Sequence, residues 1–293
     1  MQPAPSVWVW EVTGKIRPIY LMGELHGFQG PATLKIDHSL GEKIYSKSGE
    51  IWIEPVQSME DKTLPITNLE NRIAPETWSR VTRLIRESIN ALSTSSAEKK
   101  VDLTNKFFYE INLRDPMSAL VDLKALQFLK ERVRDPLKNL PQLGLNAHLK
   151  RNRSSIDSVK ILDIEKTTSL AESWRNSCTD VEADYLIGAG LDDLEFLPIS
   201  YELRIQKAFL QHPSDLDNLL QVHMNEKIGN LISKCAITPR NYQWLPSLIK
   251  ALEGDGPPVT FLVGIGHLWG DEGLITLIKK QGYTNIKRIY SVE

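Results

Sequence analysis

The two ends of the chain are written to the same short plan. PIYLMG (Pro18 to Gly23) is β-rich and runs into GELH, after which come a helical stretch, Gly49 and the strand-like EIWIEP. VTFLVG (Val259 to Gly264) runs into GIGH, followed by the helical GLITLIKKQG and the strand-like NIKRIYSV. Each end therefore reads strand, Gly-x-x-His turn, helix, Gly, strand. A crossover of this length joins parallel strands in the right-handed sense. The pattern predicts a mixed α/β fold whose central sheet is built from the N- and C-terminal units.

The rest of the chain fits around that sheet. VWVWEV (Val7 to Val12) is a further strand, and Thr13-Gly14 turns it back. Leu34, Ile36, Leu40 and Ile44 are spaced for one apolar helix face, with Gly49 as its C-terminal cap. Asp271 and Glu272 suit the positive N-terminus of the last helix, and Gly282 its end. The middle reads as helical. Pro75 fits a first-turn position ahead of Trp78, Val81, Leu84, Ile85 and Leu92, and Asp115-Pro116 opens a helix carrying Leu120, Val121, Phe128 and Leu129. Lys160 to Lys166 predicts a short strand and Ser214 to Lys234 a long helix. Thr238-Pro239 predicts a new helix start, with Pro246 kinking or restarting that helix. The expected organisation is one domain over residues 1–293: an α/β core from about 1–58 and 236–293, and a mostly helical insertion from about 59–235.

Composition narrows the class. With 41% hydrophobic and 25% charged residues, the chain has enough apolar mass for a sizeable core. Thirty-five Lys and Arg against 37 Asp and Glu leave a net charge of -2, which argues against nucleic acid as a partner. The basic run LKRNR (Leu149 to Arg153) reads as a solvated helix face. No apolar stretch reaches the ~20 residues of a membrane span. MQPAPSVW has neither a charged n-region nor an apolar h-region, so no signal peptide is expected in the sequence as it stands. Cys178 and Cys235 form no CxxC pattern; they read as two buried inert thiols, with a disulfide as the alternative.

The chemistry concentrates on His26 and His267, which follow strand-ending glycines at the same offset. In parallel α/β sheets the loops at strand C-terminal ends form the ligand crevice. Two neutral imidazoles and a carboxylate make a first shell for a divalent transition metal, which lowers the pKa of bound water and polarises carbonyls. Glu54 is the obvious carboxylate and Glu24 a second. Set against this, a single His at a strand end is commonly a hydrogen-bonded structural residue. His38, His148, His212 and His223 read as surface residues. Arg240 is either an exposed first-turn residue or an anion clamp. No GxSxG, P-loop, GxGxxG or HExxH motif occurs, and GLDDLE (Gly190 to Glu195) lacks calcium-loop spacing.

These motifs resemble the TraB/PrgY/GumN family, which is related to the Tiki proteases and more distantly to erythromycin esterases and ChaN-like haem-binding lipoproteins. The resemblance rests on VWVWEV before PIYLMGELHG, on IWIEP, on RNYQW (Arg240 to Trp244) and, most specifically, on FLVGIGHLWGDEGLITLIKKQGY. GLNAHL and LDIEK look like its central segments. Two departures stand out: Glu24 where family members commonly carry Thr, and Asn146 where they carry Asp.

The resemblance implies a divalent-metal site of His26, His267 and a glutamate, Glu54, which Glu24 could join or replace. In the Tiki branch the implied activity is metal-dependent peptide hydrolysis with manganese or cobalt. The leading expectation is thus a metal-dependent hydrolase of peptides or small esters or amides, loaded with Mn, Co or Zn. His26, Glu54 and His267 would bind the metal, Glu24 or Glu54 would serve as general base, and Arg240 would steady an oxyanion or a substrate carboxylate. The alternatives are a non-enzymatic haem- or metal-binding protein and an interaction protein with a relict site. Family members are often exported, which fits a trimmed start.

Overall fold

The structure, a computed structural model, describes residues 4–5, 7–24, 28–30, 36–54, 68–92, 96–134, 140–142, 160–163, 177–196 and 227–289. Six strands form one mixed sheet: β1 (Val7–Thr13), β2 (Pro18–Glu24), β3 (Glu50–Ile53), β4 (Lys160–Asp163), β5 (Val259–Gly264) and β6 (Ile286–Ile289). Their spatial order is β6-β1-β2-β5-β3-β4. β1 is antiparallel to both its neighbours, while β2, β5, β3 and β4 run parallel. Both predicted crossovers hold in direction, since β2 and β3 are parallel, as are β5 and β6. Neither pair is adjacent. The C-terminal half threads β5 between β2 and β3, so the two ends of the chain interleave in one sheet.

Strand alternation sorts the side chains onto two faces. Trp8, Trp10, Ile19, Leu21, Trp52, Phe261 and Val263 point to one face, where Trp244, Leu248, Leu252, Leu274 and Ile278 cover them. Those covering residues belong to α7 (Thr238–Glu253) and α8 (Leu274–Lys280), the last two α-helices among the described residues. Val7, Val9, Tyr20, Met22, Ile51, Ile53 and Leu262 point to the other face, under Ile44 and Tyr45 of α1 (Ser39–Lys47). The helix that follows β2 thus covers one face, and the helix that follows the adjacent β5 covers the opposite one. Connections that diverge between neighbouring parallel strands open a crevice at their carboxyl ends.

The central helices build a core of their own. α2 (Pro75–Ala91), α3 (Ala97–Asn112), α4 (Pro116–Arg134) and α5 (Asp180–Phe196) bury Val81, Ile85, Ile89, Ile111, Leu123, Leu186, Ile187 and Leu191 among themselves. GLDDLE lies inside α5, and acidic residues of this helix serve the fold: Asp184 accepts from the Ala74 N–H at the start of α2, and Asp192 pairs with Arg80.

Three local expectations need correction. Thr238 is where α7 begins, as expected, but no break precedes it. α6 (Lys227–Ile232) continues through a π-helical turn, Ser233–Ile237, into α7, and Ile237 is itself helical. Pro239 is tolerated at the start of α7, and Pro246 lies inside a helix that runs on to Glu253. Ile228 and Ile232 pack against the helical core while Trp244 and Leu248 pack against the sheet, so this one continuous run ties the two together. The second correction is at the end of α1, where Ser48 is the cap. Gly49 is required for another reason: a Cβ there would collide with the Pro257 ring. Third, Cys178 and Cys235 form a disulfide. Gly282 does take the left-handed conformation expected after the last helix, with φ 94°. His38 is half-buried immediately before α1; His148, His212, His223, Asn146 and the LKRNR run lie outside the described residues.

Candidate functional site

The carboxyl ends of β2, β5 and β3 carry Glu24, Gly264 and Glu54 side by side. Glu24 lies opposite Gly264 in the β2/β5 register, and the Glu54 N–H donates to Leu262 O at 2.9 Å. Alternation sends the two carboxylates apart. Glu54 follows Trp52 onto the face covered by α7, whereas Glu24 follows Met22 and Tyr20 onto the face covered by α1. There it stands near Tyr45, whose phenol is raised well above its ordinary pKa, first by burial and then by the Glu24 charge. His26 lies outside the described residues.

Glu54, Arg240 and His267, predicted from three separate segments, do meet. Glu54 Oε2 accepts the Gly264 N–H at 2.7 Å, which fixes the carboxylate over the strand end. Its Oε1 lies 2.6 Å from Arg240 Nη1 and 3.4 Å from His267 Nε2. All three side chains are less than a tenth exposed. Arg240 is therefore an interior residue facing the sheet from the first turn of α7, not the exposed first-turn residue that was one reading of its sequence context. Trp244, one turn further along, lies beneath both side chains: 4.7 Å from the Arg240 guanidinium carbon to the ring centre, and 4.5 Å between ring centres for His267.

The network also fixes which nitrogen of His267 carries the proton. The Asn241 amide NH2 donates to two carbonyls, His267 O at 3.0 Å and Glu272 O at 2.8 Å. Its Oδ1 must then face the ring, where His267 Nδ1 stands 2.7 Å away and donates. The Nε2 lone pair is left pointing at Glu54, with Arg240 Nη1 donating to it from 3.2 Å. In the sequence Asn241 stands out only as part of the RNYQW run. Its signal was the Arg-Asn-x-x-Trp spacing, which puts Arg240, Asn241 and Trp244 on one side of a helix.

An amide-oriented neutral imidazole beside a buried carboxylate is the donor chemistry of a divalent-metal site, in which the second ring nitrogen is held by a partner outside the ligand set. A separation of 3.4 Å between Nε2 and Oε1 suits two ligands of one ion at about 2.1 Å each. Glu54 and His267 therefore fit such an ion, and Arg240 now places its own positive charge against them.

No curated protein and no solved structure matches the chain. The sequence model of the TraB/PrgY/gumN family does match, over 197–285, a stretch that contains Arg240, Asn241 and His267. A TraB/PrgY/gumN family domain is thus detected at residues 197–285 of the chain.

Proposed function

We propose that the chain is a metal-dependent hydrolase of a peptide or of a small ester or amide, with His26, Glu54 and His267 as the metal ligands. The observation that carries this reading is the buried meeting of His267 Nε2 and Glu54 Oε1, with Asn241 holding the imidazole in the ligating tautomer. A manganese, cobalt or zinc ion there would supply Lewis acidity and a water of lowered pKa. The protein's own groups divide the remaining work. Asn241 and the Gly264 N–H hold the two ligands in place. Arg240 moves from Glu54 to the negative charge that develops on the substrate, or to a substrate carboxylate. Glu24, reaching past the strand ends from the α1 side, or Glu54 itself takes the proton of the attacking water. His26, two residues after Glu24 in the sequence, is the proposed third ligand.

Elemental analysis after incubation with manganese, cobalt or zinc tests the reading on the wild type and on a His26→Ala/His267→Ala variant. About one metal per chain, lost in the variant, supports it and is followed by a peptide and ester screen. Absence of metal from both proteins overturns it. One observation favours a second reading, an interaction protein with a relict site: Arg240 already neutralises Glu54. That reading requires a melting temperature indifferent to all three metals.

A further inference from the structure

Away from the crevice, the Cys178–Cys235 disulfide has a carboxylate beside it. One donor atom each from Cys178, Cys235 and Glu182 lie within 4.8 Å of one another, the only such trio of His, Cys, Asp or Glu among the described residues. The two cysteines are buried and Glu182 sits half-buried at the rim. The surroundings favour ionised ligands. Cys178 immediately precedes Thr179, which shares a reciprocal capping box with Glu182 at the positive end of the 17-residue α5. Lys234, next to Cys235 in the π-helical turn, places its ammonium 2.5 Å from Glu182 Oε1. π-helical turns of this kind recur at functional sites.

We propose that Cys178, Cys235 and Glu182 form a second, redox-gated site: a disulfide when oxidised, and a two-thiolate, one-carboxylate centre for a thiophilic divalent cation of the zinc class when reduced. A dithiol or phosphine reductant supplies two electrons, the Sγ–Sγ bond breaks, and two protons from solvent complete the thiols. On metal binding both protons return to solvent. Two thiolates and one carboxylate around a divalent ion leave one net negative charge, which Lys234 offsets. The Cα atoms stand 5.2 Å apart, ordinary for a disulfide. Rotation about the Cα–Cβ bonds opens the sulfurs to the roughly 3.8 Å between thiolates on a tetrahedral zinc. The ion must take Glu182 Oε1 from Lys234, a 56% exposed partner held only at the surface.

Cobalt(II) titration of the whole chain, kept reduced by a phosphine without oxygen, reads this site through its thiolate-to-cobalt charge-transfer absorption. The reduced wild type should take about one equivalent with that band. The oxidised chain, Cys178→Ser and Cys235→Ser should lack the band. Glu182→Gln keeps the capping box and should bind roughly tenfold more weakly, as loss of one charged ligand predicts. A reduced wild type without the band overturns the proposal, as does a band that survives Cys235→Ser. Loss of the helical circular dichroism on reduction, with and without cobalt, overturns it too. Cobalt bound with no sulfur band belongs to nitrogen and oxygen ligands, so this failure leaves the Glu54–His267 reading standing.

Discussion

Arg240 Nη1 lies 2.6 Å from Glu54 Oε1, and the two charges are buried together under Trp244. A buried pair of this kind stabilises little against an apolar substitute, but breaking it strands one charge in the interior. Arg240→Ala should therefore destabilise the chain by about 3 kcal/mol or more in urea unfolding without metal. Added manganese or zinc should then restore more stability to this variant than to the wild type, because a second cation can answer Glu54. Equal metal responses in the two proteins would count against Glu54 as a ligand.

Asn241 controls the tautomer of His267 through three hydrogen bonds. Nitrogen-15 NMR of the wild type should show the proton of His267 on Nδ1. Asn241→Asp keeps an acceptor for that proton but loses both amide donors, leaving two carbonyls short of a partner at a cost of about 1–3 kcal/mol. Asn241→Ala should release the ring to a mixture of tautomers. An unchanged spectrum in Asn241→Ala would show that another group orients the ring.

Glu182 gives a pH signature. Its carboxyl is held down from an ordinary 4.5 to about 2, first by the Lys234 hydrogen bond and then by the Thr179 N–H. A folded-state pKa below the unfolded one contributes stability that is complete above about 4.5 and fades as pH falls towards about 2. Oxidised wild type should exceed Glu182→Gln by about 1 kcal/mol at neutral pH, after allowance for solvent screening. That gap should close between pH 4.5 and 2 in denaturant titrations. A gap independent of pH would remove the ion pair as its cause.

Gly49 tests close packing rather than backbone handedness, since its φ is not in the left-handed region. Gly49→Ala brings a methyl group against the Pro257 ring and should cost about 1–3 kcal/mol. Gly188, where an added Cβ meets nothing within 4 Å, is the control: with both variants compared in thermal melts, Gly188→Ala in the middle of α5 should be neutral or slightly stabilising.

What the sequence determined by itself follows from local periodicity and chain stiffness. The β-rich run Val7 to Val12 and the apolar run Val259 to Gly264 read as strands and are strands. Pro75 and Pro116 sit at helix starts because their missing N–H groups cost nothing there. Glu54, Arg240 and His267 stood out for a related reason, as Glu54 and His267 closely follow strand ends and Arg240 follows the helix signal Thr238-Pro239. Tertiary structure alone decided the rest. Which face Glu24 and Glu54 take depends on the sheet order, which threads β5 between β2 and β3. The disulfide depends on the segment just before α5 meeting the π-helical turn, at residues 57 apart in sequence. The uninterrupted passage from α6 to α7 depends on packing against two cores, which overrides the start signal of Thr238-Pro239. Local pattern reports the conformation of a few residues; pairing between distant segments is set by burial summed over the whole chain, and no short window contains that sum.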